Sequence, residues 1–443
     1  MLNTPALTDG PCEGKRNLRV RVEPSTPEGS VEAPPSKSWA QRAAFLALLA
    51  EGRSSFRRVP ESDDVLASLE AVRAFGAKVE AKGGEVAIEG GEVKVPEDVI
   101  NMRGSGTGAR IAIAVGTLVP KGFGVVVTGN ASLRRRPMTP VVEVMNALGA
   151  EVVSLRGGLL PVVSFGGLPG GEAEVDGSVT SQHVTAALIA STKSERGAKI
   201  TVKNAVSRGY IALTERVMRL FGAKVKCDAK YSYCEVEPSE LKAVRSEVPG
   251  DYALAAFPAA LAVVSGGEVK VGPLPPPESG PGDHRLVDYL RKFGVEVSYS
   301  DGYLRVEGSV RPKGTRVNLK DEPDLALPLA AVAAVSKGES VLAGLSHLVY
   351  KESNRIETIL QTLKCFGVSA RVDGPSIRVL GTESLRPCRL KCPDDHRIAM
   401  LAAVLGSAAG AVIESAECVN KSWPGFWDAL SSLGVKVYVE GRR

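Results

Sequence analysis

The chain is poor in aromatic residues, 5% of its 443 positions, and holds only four histidines. A base-stacking nucleic-acid platform needs many exposed rings, so that class is disfavoured at once. No block of five or more Lys and Arg occurs, and the densest basic run, Arg134-Arg135-Arg136, is cut off by Pro137. At a formal charge of +5 the chain lacks the basic stripe of a non-specific DNA or RNA binder. A few convergent cations around a small anion suit it better. No stretch is apolar and uncharged enough for a membrane span of ~20 residues. The N-terminus has no charged segment leading into an apolar one, so no secretory leader is expected. Residues 1–17 read as a disordered tail, and the expected location is the cytoplasm. The seven cysteines (12, 227, 234, 365, 388, 392 and 418) include no CxxC pair. Cys388 and Cys392 stand four apart without a second pair, a weak zinc signal, so no metal site is expected. The thiols are expected to be reduced and mostly buried.

What is present is an ordinary globular composition, 44% apolar and 24% charged, on a chain long enough for about two or three domains. Repetition organises it. Phe75-Gly76, Leu148-Gly149, Phe221-Gly222, Phe293-Gly294, Phe366-Gly367 and Leu433-Gly434 each close an amphipathic helix and open an alternating strand. The glycines are spaced by 73, 73, 72, 73 and 67 residues. Each supplies the left-handed conformation that ends a helix. Turns such as Gly83-Gly84, Asp301-Gly302 and Asp373-Gly374 then predict hairpins. Between hairpins lies a second, more apolar helix, beginning near Ser36, Ser105, Ser178, Asp251, Glu322 and Asp394. The six units group three and three with a join near Val248-Pro249-Gly250. The last unit lacks its final strand, which Leu18-Arg19-Val20-Arg21-Val22 can supply. The expected domains are therefore 36–248, and 18–35 together with 249–443, with two crossings between them.

The fronts of the apolar helices carry the chemistry. Unpaired N–H groups and a partial positive charge make a helix N-terminus an anion cradle. Ser and Asp at such places are usually caps worth about 1 kcal/mol. Capping does not explain Lys37, Arg42, Arg110, Arg355 or Arg397, and an unpaired cation beside an apolar helix is costly. His396, flanked by Asp395 and Arg397, becomes a candidate for a polar site. Asp283-His284-Arg285 reads as surface or capping. Gly104-Ser105-Gly106-Thr107-Gly108 is neither a Walker loop nor a dinucleotide fingerprint.

Seven segments, in order and spacing, resemble the 5-enolpyruvylshikimate-3-phosphate synthase family. They are Pro35 to Arg42, Gly104 to Arg110, Arg136-Pro137-Met138, Asp176 to Gln182, Pro323-Asp324, Lys351 to Arg355 and Asp394 to Met400. The resemblance implies an α/β fold of two inside-out, barrel-like domains, each of three βαβαββ units. It implies transfer of the enolpyruvyl group of phosphoenolpyruvate to the 5-hydroxyl of shikimate 3-phosphate, with release of phosphate, through a tetrahedral intermediate. This is a transferase step of aromatic amino-acid biosynthesis and needs neither cofactor nor metal. By motif, Lys37, Ser38, Arg42, Thr180, Ser181, Gln182, Ser207, Tyr210, Asp324, His347 and Lys351 would hold shikimate 3-phosphate. Lys37, Gly106, Thr107, Arg110, Arg136, Gln182, Arg355, Asp395, His396, Arg397 and Lys421 would hold phosphoenolpyruvate. Lys37, Asp324 and Glu352 would carry the proton transfers. Gly106 leaves room for glyphosate. The family also implies a monomer without nucleic-acid or membrane partners. His347 stands where many bacterial members have Asn, Gly209 replaces a proline before Tyr210, and Thr180 stands for a commoner Ser. The rival on the same fold is the UDP-N-acetylglucosamine enolpyruvyl transferase, which typically opens with Lys-Asn and uses a loop cysteine. Here Lys37-Ser38 opens the site and no Cys lies between 13 and 226. A non-catalytic anion- or RNA-binding relative would lack the acid–base groups that this chain keeps.

Overall fold

The structure is a computed structural model that describes residues 18–277 and 283–441. The tail expected over 1–17, and Cys12 with it, lies outside the described residues. The strands described form six four-stranded sheets with one connectivity. In the second, Ile100–Asn101 runs parallel to Gly124–Thr128, which pairs antiparallel with Val162–Phe165, and that strand closes a hairpin with Glu151–Ser154. With one helix after each of the first two strands, this is a βαβαββ unit, and the six together make a mixed α/β fold.

Three sheets borrow a strand from elsewhere in the chain. Arg19–Glu23 lies antiparallel between Ala411–Glu414 and Lys436–Glu440, in the place of the strand that the sixth unit lacks. Glu28–Glu32 leads the fourth unit, parallel to Glu268–Gly272. Arg245–Glu247 returns to lead the first, parallel to Gly52–Arg57. The buried apolar residues accordingly fall into two clusters, one drawn from 39–248 and the other from 20–33 and 252–435. The two passages between them are joined: Ser36 N–H donates to the Pro249 carbonyl at 2.8 Å, and Asp251 N–H to that of Pro34 at 2.9 Å.

Each cluster is built round three helices buried on nearly every face. Lys37–Leu49, Gly106–Val115 and Gln182–Ser191 serve one, and Tyr252–Ser265, Ala326–Val335 and His396–Ala409 the other. Their Ala, Leu, Ile and Val side chains leave no polar stripe, so each must be surrounded by protein. The amphipathic helices end at the six repeat glycines, whose φ values run from 76° to 102°. Ser36, Ser105, Asp251 and Asp395 cap the buried helices by accepting N–H groups of the first turn. Three starts come later than the sequence suggested. Thr180 and Ser181 delay the third to Gln182, the turn Pro323–Leu325 precedes the fifth, and Asp394 takes a positive φ before the sixth.

Four cysteines overturn the expectation of reduced thiols. Cys227 and Cys234 face each other across a hairpin and are bridged, as are Cys365 and Cys388, 23 residues apart. Cys392 and Cys418 are free thiols and buried. The first pair depends on strand register and the second on the end of the helix Arg355–Cys365 meeting the strand Cys388–Lys391, neither of which a cysteine count reveals. Closing a loop the size of the second bridge removes enough unfolded-state entropy to stabilise by about 3 kcal/mol. Cys388→Ser is therefore expected to lower the unfolding free energy by about that much in a denaturant titration. An unchanged titration midpoint would show that the bridge does not form in solution.

Candidate active site

The helix fronts of both halves face one cleft of about 820 Å3, counted to its open mouth. From the first half come Lys37, Ser38, Arg42, Gly106, Thr107, Arg110, Arg136, Thr180, Ser181, Gln182, Ser207 and Tyr210. From the second come Asp324, Lys351, Glu352, Arg355, His396 and Arg397. Three sequence candidates stand behind this lining. His347 is buried beneath it, where desolvation first and Lys351 next bring its pKa down to about 3. Lys421 reaches over Gly104, where an added Cβ would lie 2.9 Å from its Nζ. Asp395 is fully buried and spends its oxygens on Arg355, Ser353 and the N–H of Arg397. The Asp395 carboxylate, expected at the phosphoenolpyruvate place, holds Arg355 in this structure.

On the first-half wall Lys37 is paired with Asp64, while Arg42 and Arg110 hydrogen-bond to no carboxylate. Arg42 is 1% exposed and donates only to neutral oxygens: Thr214 Oγ1 at 2.8 Å, the Ser38 carbonyl at 2.8 Å, Thr185 Oγ1 and the Tyr210 carbonyl. Desolvation lowers its pKa to about 10. Arg110 donates to Gln182 Oε1 at 2.8 Å and to the carbonyls of Gly106 and Pro137, and its Nε is buried without a partner. Burial, then the neighbouring Arg136, brings it down to about 9. Both shifts record a buried cation without a counter-charge at hydrogen-bond distance, a penalty that a bound anion would relieve. Arg136 has a buried Nε without a partner, and its NH1 lies 3.8 Å from Glu352 across the cleft. Ser207 adds an unpartnered, buried hydroxyl on a residue of φ 54°, a strained backbone that a hydroxyl held for a ligand would explain.

The opposite wall concentrates carboxylates around one guanidinium. Arg355, 1% exposed, donates to Asp395 at 2.9 Å, Asp324 at 2.8 Å and Glu352 at 2.8 Å. Burial opposes its charge, but Asp395, Glu352 and Asp324 together raise its pKa. Burial likewise opposes ionisation of Asp324, and Arg397, Lys351 and Arg355 outweigh it, so that carboxyl sits well below the usual range. Glu352 follows the same logic with Arg355, Arg136 and Lys421. Lys351 is pulled below its ordinary value by burial. His396 has both ring nitrogens buried without partners, and burial followed by Lys37 keeps it neutral. Lys37 reaches Asp64 Oδ2 at 2.6 Å.

Some residues of the cleft escaped the sequence. Asp64 and Gln41 line it with Tyr350. Asp64 lies in the first turn of the helix Asp63–Ala74, where an acid reads simply as a favourable charge. Asp283 is buried rather than on the surface, with its Oδ2 2.5 Å from the Tyr210 hydroxyl oxygen. Its fellow residues His284 and Arg285 gave it a surface look that the tertiary packing reverses.

A polar cleft between two three-unit halves, cationic on one wall and buffered by carboxylates on the other, defines an enzyme that handles small anions on an inside-out α/β scaffold. The chain belongs to the EPSP synthase (3-phosphoshikimate 1-carboxyvinyltransferase) family, whose family model matches residues 22–430. Among its relatives, the 3-phosphoshikimate 1-carboxyvinyltransferase of Korarchaeum cryptofilum is 39% identical over 94% of this chain and 99% of its own length. That of Caldivirga maquilingensis is 36% identical over 95% of this chain and 99% of its own. A solved structure of EPSP synthase from Acinetobacter baumannii matches with a TM-score of 0.79 at 25% identity, covering 96% of this chain and all of that one.

Proposed function

We propose that this enzyme transfers the enolpyruvyl group of phosphoenolpyruvate to the 5-hydroxyl of shikimate 3-phosphate and releases phosphate. The observation that carries the reading is the pair of buried guanidiniums, Arg42 and Arg110, that reach the cleft with neutral partners only. Each leaves a place for one anion. Beside Arg42 stand Ser38, Thr180, Ser181, Ser207 and Tyr210, hydroxyls suited to a phosphorylated polyol. Beside Arg110 stand Arg136, Gln182, Gly106 and Thr107, suited to a small phosphate-carboxylate, with Arg355, Arg397 and Lys421 on the facing wall. Lys37 lies between the two groups.

In the reaction, the 5-hydroxyl oxygen bonds to C2 of phosphoenolpyruvate while C3 gains a proton. Loss of a C3 proton with departure of phosphate then restores the double bond. Asp324, ionised among cations, is suited to take the hydroxyl proton. Glu352 is ionised in the free enzyme. An incoming trianion would offset Arg136, Arg355 and Lys421, raise the Glu352 pKa and let it exchange a proton with C3. Charge stabilisation by the guanidiniums is the larger contribution to catalysis. The two buried clusters are proposed as the two domains, hinged at 35–36 and 248–250. The chain is proposed to act as a monomer in the cytoplasm, as the family resemblance implies.

The test is phosphate release from phosphoenolpyruvate with shikimate 3-phosphate or UDP-N-acetylglucosamine as acceptor. Release with the first alone is expected, and release with the second alone would overturn the reading. Glyphosate is expected to compete with phosphoenolpyruvate, and no inhibition at millimolar concentration would remove that prediction. A methyl group at Gly106 would lie 3.0 Å from Arg110 NH1, 3.1 Å from Arg136 NH1 and 3.2 Å from Gln182 Oε1. Gly106→Ala is therefore expected to raise KM for phosphoenolpyruvate about tenfold and to leave that for shikimate 3-phosphate within about twofold. Equal rises in both KM values would show that Gly106 does not face the phosphoenolpyruvate place.

A further inference from the structure

Behind Tyr210, at the crossing between the two halves, lies a buried carboxyl that the reaction as described does not use. Asp283 is 3% exposed, and its Oδ2 is 2.5 Å from the Tyr210 hydroxyl while its Oδ1 is buried without a partner. The same hydroxyl lies 3.4 Å from Oδ2 of Asp324. A phenol has one proton and can donate to only one of these two carboxyls at a time. We propose that Asp283 is a positioning residue that keeps its own proton, donates it in a hydrogen bond to the Tyr210 oxygen, and so turns the Tyr210 proton onto Asp324.

The surroundings favour that arrangement. Among the described residues, the titratable groups facing Asp283 are Tyr210 on the helix Arg208–Leu220, Asp324 in the turn Pro323–Leu325, Asp251 at the front of Tyr252–Ser265, and Arg397 at the front of His396–Ala409. Two of the four are carboxyls. The single cation already donates to Asp324 at 3.2 Å and to the Ala253 carbonyl at 3.2 Å. An ionised Asp283 would thus be a buried charge without an ion-pair partner, and would draw the phenol proton away from Asp324. Two oxygens would then face each other with no proton between them. Burial and Asp324 indeed push the Asp283 carboxyl well above the usual range. With Asp283 protonated, every contact in the chain is satisfied: Asp283 to Tyr210, Tyr210 to Asp324 Oδ2, and Arg355 to Asp324 Oδ1 at 2.8 Å. Asp324 is held from two sides. This inference rests on the reading of Asp324 as the group that takes the hydroxyl proton.

The experiment compares Asp283→Leu, Asp283→Asn and Tyr210→Phe by the pH profile of kcat and by KM. Asp283→Leu removes the donor but leaves the phenol Asp324 as its carboxyl acceptor, so the acid limb is expected to stay with that of the parent while kcat falls about threefold as the phenol loses its fixed orientation, with KM for phosphoenolpyruvate unchanged. The amide of Asp283→Asn can still donate to Tyr210, so its profile is expected to overlay that of the parent. Tyr210→Phe removes the donor to Asp324 and is expected to move the acid limb to higher pH, and adding Asp283→Leu should move it no further. The proposal is overturned if Asp283→Asn moves the acid limb to lower pH, as the loss of a carboxylate charge beside Asp324 would, or if Tyr210→Phe leaves the limb in place. Should Asp283→Leu fail to fold, difference infrared spectroscopy of the parent against Asp283→Asn decides. The carbonyl stretch of a protonated carboxyl must disappear in the variant, and its absence from the parent refutes the proposal. Phosphate release by the parent is read separately: failure there removes the functional reading, while the infrared band still decides the proton on Asp283.

Discussion

Asp324→Asn is expected to lower kcat by about a thousandfold while shikimate 3-phosphate still binds. Asp324 faces the cleft, and Arg397, Lys351 and Arg355 hold it ionised against its burial. The amide keeps the shape and part of the hydrogen bonding to Arg355 and Arg397, but it cannot take a proton. Binding and chemistry should therefore separate. Calorimetry with shikimate 3-phosphate is expected to give a Kd within about tenfold of the parent, beside the collapsed turnover. A kcat within about fivefold of the parent would exclude Asp324 as the base.

Arg355→Met is expected to give the largest loss of stability. This one guanidinium serves three carboxylates, and Met would leave Asp395, Asp324 and Glu352 without their shared partner. Removing one side of a buried ionic cluster costs about 3–5 kcal/mol, because the remaining charges stay desolvated. A denaturant titration measures this, and Arg355→Met combined with Asp395→Asn should recover part of the loss. Acid unfolding gives a second readout. Asp324 and Glu352 have folded pKa values below their unfolded ones, so they contribute stability above the ordinary carboxylate range. That contribution is lost as pH falls through the folded values. Without Arg355 both carboxyls titrate higher, and the acid midpoint should move to higher pH. A variant that unfolds at the parent's denaturant concentration and pH would show that the cluster does not stabilise the fold.

The repeat was legible because it rests on local physics. A glycine in the left-handed region after an amphipathic helix leaves its mark on the sequence wherever it occurs, and so does a period-two strand after it. The completion of the sixth unit by Arg19–Glu23 was legible for the same reason, since a strand was missing at one end and spare at the other. Glu28–Glu32 and Arg245–Glu247 were not foreseen as leading strands, because a short strand's partner is chosen by register in space. Most of the site was legible through the resemblance, which carries residues by motif. The cysteine pairs, the inward turn of Asp283 and the retreat of Asp395 behind Arg355 left no local sign.

The sequence by itself determined the six units, their apolar helices and the cations at the helix fronts, since each follows from periodicity, capping and the cost of placing charge beside apolar surface. The tertiary structure alone decided how those fronts share one cleft. It left Arg42 and Arg110 without carboxylates and surrounded Arg355 with three. Local propensity acts over a few residues along the chain. A charge buried in low dielectric is governed by whatever folding brings within a few ångströms, and here Thr214 and Thr185 reach Arg42, Gln182 reaches Arg110 and Asp395 reaches Arg355 from distant parts of the chain.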